Sequence, residues 1–352
     1  MGGEILEGWE RVSVTIARNT IASKFGFKFS ETSPGDPLAR LIRKGVPAEI
    51  FLAGTSILSG RVTERRLRYG AQFNDLEAAG RDVLGDIVDS STTVQPSQWR
   101  SARVETIVEK ILSPFPLIQF RKDLSDDAGS VADFTIQTGE KVFASIDRLA
   151  RLKGLIPQPD GRGGLYLIRP RQDRAPVVLV YGENILQGNS VDSENGRHSS
   201  VTVHGQGSNS DFWNAGSPGQ SVKAEAFDPG ITRSRPRVII AENGASETEL
   251  RIRARTEVAT AAARSSPVEY TVEGWEMGGY RWKPGDLIPV YDAAAEIGTS
   301  KGSPAEMELA SVTFSAGANS GPKTTLRLMR PGAFTTAELA KPSDPESLQW
   351  ER

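Results

Sequence analysis

Apolar and polar side chains alternate from Trp9 to Ala17, with Val12, Val14 and Ile16 on one face and Ser13 and Thr15 on the other. A period of two is the pattern of a strand with one buried face. Phe25, Phe27 and Phe29 repeat it with Gly26 and Lys28 opposite, so residues 9–29 predict a β-hairpin. Further strands are predicted at Ala48–Leu52, Gly60–Thr63 and Gln72–Ala78, separated by turns such as Ser33-Pro34-Gly35-Asp36-Pro37. Together they predict a small β-barrel or sandwich over residues 1–89.

The period then changes. Val104, Ile107, Val108, Ile111 and Leu112 recur at helical spacing, with Ser101 as the expected N-cap and Ser113-Pro114 as the stop. A second helix is predicted over Glu140–Lys153, with Val142, Ile146 and Leu149 as its stripe, Thr138 as N-cap and Gly154 at the C-terminal glycine position. A glycine-rich turn, Pro159 to Gly164, leads into the strand Leu165–Ile168. Residues 90–172 therefore predict an α/β insert.

Beyond it the chain is again mainly β. Strands are predicted at Val177–Tyr181, Ser199–His204, Arg237–Ala241, Val268–Val272, Leu287–Tyr291, Met307–Ser315 and Thr324–Met329. The Gly-, Ser-, Asn- and Pro-rich stretch 205–235 predicts a long surface loop. One helix interrupts this region. Ser246 and Glu249 form a capping box, Leu250, Ala254, Val258 and Ala261 form one face, and Arg251, Arg253, Arg255 and Arg264 form the other. The expected organisation is α+β but mainly β: two β regions, 1–89 and 173–335, flank the insert, and 336–352 form a polar tail.

Composition narrows the chemistry. Among 352 residues, Lys plus Arg number 42 and Asp plus Glu 44, a formal charge of −2. Such a chain has no global field to draw in nucleic acid or anionic lipid, so any such binding must come from a local patch. There are no cysteines, which removes disulfides, thiolate metal sites and cysteine nucleophiles. The N-terminal residues lack the basic-then-apolar order of a signal peptide, and no apolar run is long enough to span a bilayer. A soluble, unexported protein without membrane association is expected.

Catalytic options are few. The two histidines, His198 in a turn and His204 at a strand end, have ordinary polar roles there, and they supply neither a triad nor a zinc site readily. Paired acids occur at Asp126-Asp127, at Asp82 with Asp86 and at Glu247 with Glu249, where loop and cap positions account for them. A glycosidase would need two carboxylates flanking a sugar, and Asp126, Asp127 and Glu194 are the acids available for that alternative. Gly161-Arg162-Gly163-Gly164 leads from a helix to a strand, the reverse of the order that cradles phosphate at a helix N-terminus. Arg61, Arg65, Arg66 and Arg68, together with Arg251 and Arg255, are candidate subunit or partner contacts. No catalytic, metal-binding or cofactor-binding residue is assigned.

In this order the segments resemble the baseplate hub proteins of Mu-like phages, within the wider contractile-tail hub and late-control protein family. Gly8-Trp9-Glu10-Arg11 with Phe25–Phe29 resembles the family's first hairpin, and Ala79-Gly80-Arg81-Asp82 to Ser90 the end of its first barrel. Trp99, Phe134-Thr135-Ile136 and the two helices resemble its insert. Arg235–Ile240, Gly274-Trp275 and Trp282-Lys283-Pro284-Gly285-Asp286 resemble its second β region. The resemblance implies two tube-type β-barrel domains per chain and a homotrimeric ring that adapts a hexameric tail tube to a trimeric central spike. Its partners would be the tail tube protein, the spike protein and other baseplate proteins, with DNA as transient cargo through a central channel. It also implies assembly in the host cytoplasm into the virion tail baseplate, no cofactor and no enzymatic activity. The alternatives are a tail-associated peptidoglycan hydrolase, or the same hub in a phage-derived bacteriocin or injection particle.

Overall fold

The first hairpin forms as its alternation requires. Strand β1 (Arg11–Ala17) pairs antiparallel with β2 (Thr20–Ser30), with Val14 opposite Phe25. The structure, a computed structural model, describes residues 9–18, 20–30, 42–52, 54–70, 73–153, 155–169, 173–205, 222–240, 247–318 and 320–334. The turn at 33–37, Gly154, Ser246 and the tail 336–352 lie outside the described residues. Strands β3 (Pro47–Leu52), β4 (Thr55–Gly70) and β5 (Phe73–Asp82) and the short helix α1 (Gly85–Asp89) complete the first region. Val14, Phe25, Phe29, Leu58, Val62 and Leu76 close into one core. Each such side chain contributes roughly 1.5–3 kcal/mol on full burial.

The insert comprises β6 (Gln98–Arg103), α2 (Val104–Leu112), β7 (Gln119–Phe120), β8 (Ser130–Thr135), α3 (Val142–Arg151), β9 (Ile156–Pro159) and β10 (Gly164–Ile168). The predicted apolar stripes of both helices are buried. Their predicted N-caps are not used. Pairing of β6 with β8 keeps the chain extended through Arg103, so Ser101 lies within β6 at φ 47° and α2 begins three residues later. Lys141, not Thr138, takes the N-cap of α3, while Glu140 accepts the Gln137 N–H at 2.9 Å and a forked pair from Arg148. The glycine turn joins β9 to β10, with φ at 78° for Gly161 and 95° for Gly163. It also fastens the insert to β4, because the Ser59 N–H donates to the Gly161 carbonyl at 2.8 Å.

The remaining elements are β11 (Leu179–Val180), β12 (Gln187–Ser190), β13 (Ser200–His204), β14 (Lys223–Phe227), β15 (Pro236–Ile240), α4 (Glu247–Ser265), β16 (Val268–Glu273), β17 (Glu276–Met277), β18 (Tyr280–Arg281), β19 (Leu287–Tyr291), β20 (Ala305–Gly317) and β21 (Gly321–Met329). An eleven-stranded sheet follows the path β12-β16-β21-β20-β1-β2-β5-β4-β3, with β19 joining β20 and β11. Strands from both ends of the chain meet in it: β1 pairs with β20 from Arg11↔Gly317 to Ala17↔Ser311.

The chain forms two compact units, one of Met1–Gly188, Glu269–Ala305 and Leu309–Leu328, the other of Asn189–Val268, Glu306–Glu308 and Met329–Arg352. In the second, β14-β13-β15 make a separate sheet, on which Leu250 and Ala254 of α4 pack against Val201, Val203, Ala224 and Ala226. Strand β14 runs inside the stretch predicted to be a loop. Its inward positions are only Ala224 and Ala226, too small to register as an apolar pattern. The opposite face exposes Phe227, Val238 and Ile240. Among the described residues, no helix is long and apolar enough to cross a membrane.

Candidate contact surfaces

The arginines at 61–68 sit on a projecting arm. Strand β4 stays paired with β5 as far as Gly70↔Phe73, whereas its ladder with β3 ends at Arg61↔Pro47. From Thr63 to Gly70 it therefore has β5 on one side and, among the described residues, no strand on the other. Every residue of that stretch is exposed, including Leu67 and Tyr69. Arg61 donates to the Gly45 carbonyl at 3.0 Å, and Arg66 pairs with Glu64 at 2.9 Å and Glu77 at 3.8 Å. Arg65 and Arg68 lie in register with Ala78 and Asp75. Arg251 and Arg255 are exposed on α4 in the other unit, where Arg251 pairs with Glu247 one turn back at 2.7 Å.

The polar face of the large sheet carries charges the sequence pattern left unassigned. In-register residues point to the same side of a sheet, roughly 4.8 Å apart between neighbouring strands. Three rows cross β1, β2, β5 and β4 in this way: Thr15-Lys24-Arg81-Arg61, Ser13-Gly26-Ala79-Glu64 and Arg11-Lys28-Glu77-Arg66. They hold six cations and two carboxylates. The middle row is floored by small residues, and over it lies an open trough of about 290 Å³ rimmed by Arg11, Lys28, Arg66, Glu64 and Glu77. On β20 the face continues as Ser311, Thr313 and Ser315, with the Thr15 and Thr313 hydroxyls 2.9 Å apart. Lys24 and Lys28 are readable from sequence as the positions opposite Phe25, Phe27 and Phe29. Their alignment with Arg11, Arg61, Arg66 and Arg81 depends on strand register.

The acids considered for catalysis have other duties. Asp126 accepts the Arg169 N–H at 2.7 Å, and Asp127 accepts the Gly129 N–H at 2.9 Å and pairs with Arg103. Glu194 pairs with Arg233 at 2.5 Å. His198 and His204 are half-buried, His204 at the end of β13 as predicted. Among the described residues, no three His, Asp or Glu side chains group as metal ligands.

Buried acids instead hold strand ends. Asp82, closing β5, accepts the Ser23 N–H at 2.8 Å and the Leu84 N–H at 3.1 Å. Burial pushes its carboxyl up to about 6, against the pull of those N–H groups. Asp228 accepts two bonds from Arg197, at 2.6 and 2.8 Å, and one from the Gly230 N–H. Burial disfavours its charge, yet Arg197 and that N–H hold it below the usual carboxylate range.

Comparison with known proteins gives the same reading from end to end. Residues 1–82 match the N-terminal model of Mu phage baseplate assembly protein GpP-like, residues 84–169 the second domain of baseplate hub protein gp44-like, and residues 197–257 the third domain of tail protein NMB1110-like. Baseplate hub protein gp44 of Escherichia phage Mu is 28% identical over 333 residues, covering 93% of this chain and 85% of its own. The 43 kDa tail protein of prophage MuSo2 from Shewanella oneidensis superposes with a TM-score of 0.80 at 24% identity, over 94% of this chain and 97% of that one. A tail protein from Neisseria meningitidis MC58 gives 0.73 at 23%, over 94% and 95%. With three consecutive domain models in order and a hub relative matched along nearly its whole length, the chain belongs to the baseplate hub proteins of Mu-like phages.

Proposed function

We propose that this hub acts as a trimeric ring in a contractile tail, adapting a hexameric tail tube to a trimeric central spike and leaving a channel for DNA. The observation that carries the reading is the β1–β20 ladder, which sets the strands of the N-terminal and C-terminal regions edge to edge over seven residues. Two tube-type modules side by side in each chain, the first over 1–89 and the second within 173–335, would give three chains a sixfold-like face. A ring of this kind also needs free edges for its neighbours, and the exposed arm of β4 with Arg65, Arg66 and Arg68 is the first candidate. Its role is structural, with the tube, the spike and other baseplate proteins as partners, after assembly in the host cytoplasm.

Light scattering of the purified chain, followed by negative-stain imaging of the same peak, tests this. A mass of three chains with an open-centred projection is expected. A monomer that stays monomeric in the presence of spike protein overturns the ring.

A further inference from the structure

We infer that the polar face of β1, β2, β5 and β4 is a contact surface for the phosphodiester backbone of duplex DNA. The choice of DNA over an acidic protein rests on the hub reading above; the surface itself rests on charge and register. The whole chain carries −2, yet the three rows hold six cations against two carboxylates. Lys24, Arg81 and Arg61 stand in one row, and Arg11 stands directly opposite Lys28. Like charges in register destabilise a sheet, so the arrangement has an electrostatic cost that a polyanion lying across the rows removes. The trough over Ser13, Gly26 and Ala79 gives room for a phosphate between Arg11, Lys28 and Arg66.

The same face is built to hold DNA weakly. Lys28 pairs with Glu10 at 3.1 Å and Asp75 at 3.2 Å, and Arg66 pairs with Glu64 and Glu77. Arg81 is engaged by Asp89. Each pairing lowers the net charge offered to a phosphate, and Arg11 and Lys24 have no such carboxylate among the described residues. A surface of this kind attracts a moving duplex without trapping it.

Fluorescence anisotropy with a labelled duplex and the full-length chain tests the assignment across a salt series. Wild type should bind weakly, with affinity falling steeply as salt rises. The double reversal Arg11→Glu with Lys24→Glu should weaken low-salt binding by about tenfold or more and lower the log–log salt slope by about 2, one for each phosphate no longer neutralised. The neutral pair Arg11→Gln with Lys24→Gln should fall between, and circular dichroism should match wild type throughout. Reversal of Arg103 and Arg121, exposed on the insert, should leave binding unchanged. Absence of salt-dependent binding, equal loss from the insert reversals, or competition by polyglutamate as strong as by DNA would each overturn the assignment. Light scattering on the same samples separates the two readings. A ring that ignores DNA removes this inference and leaves the hub, whereas binding by a chain that never forms a ring removes the ring-shaped hub.

Discussion

The Tyr270 hydroxyl donates to Oδ2 of Asp292 at 2.8 Å in the interior of the first unit, joining β16 to the end of β19. Asp292 also accepts the N–H groups of Ala294 and Ala295, at 2.9 and 3.2 Å, so one buried carboxylate fixes the turn that leaves the sheet. Burial and the neighbouring carboxylate together push the Tyr270 hydroxyl upward, keeping it a donor at any working pH. Tyr270→Phe leaves that carboxylate one donor short and should cost about 1–3 kcal/mol in denaturant unfolding. A change below about 0.5 kcal/mol, the range of bland surface substitutions, would remove the pair from the account of stability.

Asp82 gives a pH dependence of defined sign. Its carboxyl is raised to about 6 in the folded chain from an ordinary aspartate value of 3.8, so the folded state binds the proton more tightly than the unfolded one. Its contribution to stability is therefore full below the unfolded pKa, falls as pH rises through the window between the two values, and is lost above about 6. A shift of this size corresponds to a few kcal/mol at most, of order 1–3. Asp82→Asn should show a constant offset from the altered N–H pairing plus a recovery relative to wild type as pH rises through that window. Unfolding curves for both proteins at several pH values measure it, and a difference independent of pH would count against the assignment.

Gly60 and Gly80 let β4 and β5 approach where the insert's turn docks. A Cβ on Gly60 would lie 2.0 Å from the Arg81 carbonyl oxygen, and one on Gly80 would lie 2.2 Å from that of Arg61 and 2.3 Å from the Phe25 ring. Backbone on one side and a packed ring on the other cannot both yield. Gly80→Ala should destabilise by about 3 kcal/mol or more, beyond the usual cost of an added methyl group in a core. Thermal unfolding of the soluble variant should show an early transition. An unchanged midpoint would mean that the strands separate easily here.

Much of the fold was legible because its strongest signals are local. The alternation in β1 and β2 and the stripes of α2 and α3 each describe one buried face, and those faces are buried. Two things were not legible, for different reasons. Strand β14 buries two alanines, so composition pointed to a loop where tertiary packing makes a strand. The helix caps failed because β6 continues further than Ser101 suggested, and a ladder partner 30 residues away is invisible to a local rule. The contact surfaces divide the same way. The arginine run at 61–68 is plain in sequence, whereas the cationic rows exist only once four strands are in register.

Arg197 and Arg251 make a controlled contrast between a buried and an exposed ion pair. The Arg197–Asp228 fork lies in an interior site where the Asp228 side chain is 3% exposed, while Arg251 and Glu247 are 56% and 62% exposed. Removing one partner of a buried pair strands the other charge, so Arg197→Ala should cost about 3–5 kcal/mol. Arg251→Ala breaks a solvated i,i+4 pair worth no more than about 0.5 kcal/mol. Chemical denaturation of both variants reads the difference, and similar costs would show that the Arg197 site is wetter than its geometry implies.

The arm of β4 offers the most direct handle on assembly. Its residues from Thr63 to Gly70 are all exposed, so their sequence is free to serve another chain. Arginines along an edge guard it against indiscriminate pairing and favour an acidic neighbour in one register. The double reversal Arg65→Glu with Arg66→Glu should therefore abolish the ring in light scattering while leaving the unfolding midpoint of the single chain nearly unchanged. Because Arg66 pairs with Glu64 and Glu77, a single Arg65→Glu is the cleaner companion, removing one cation without gathering three acids. Reversal of Arg251 and Arg255 on α4 tests the second candidate surface on the same readout. A ring that survives the β4 reversals but not those on α4 transfers the interface to the second unit. A ring that survives both discards the arginines as contacts and turns attention to the exposed Phe227, Val238 and Ile240.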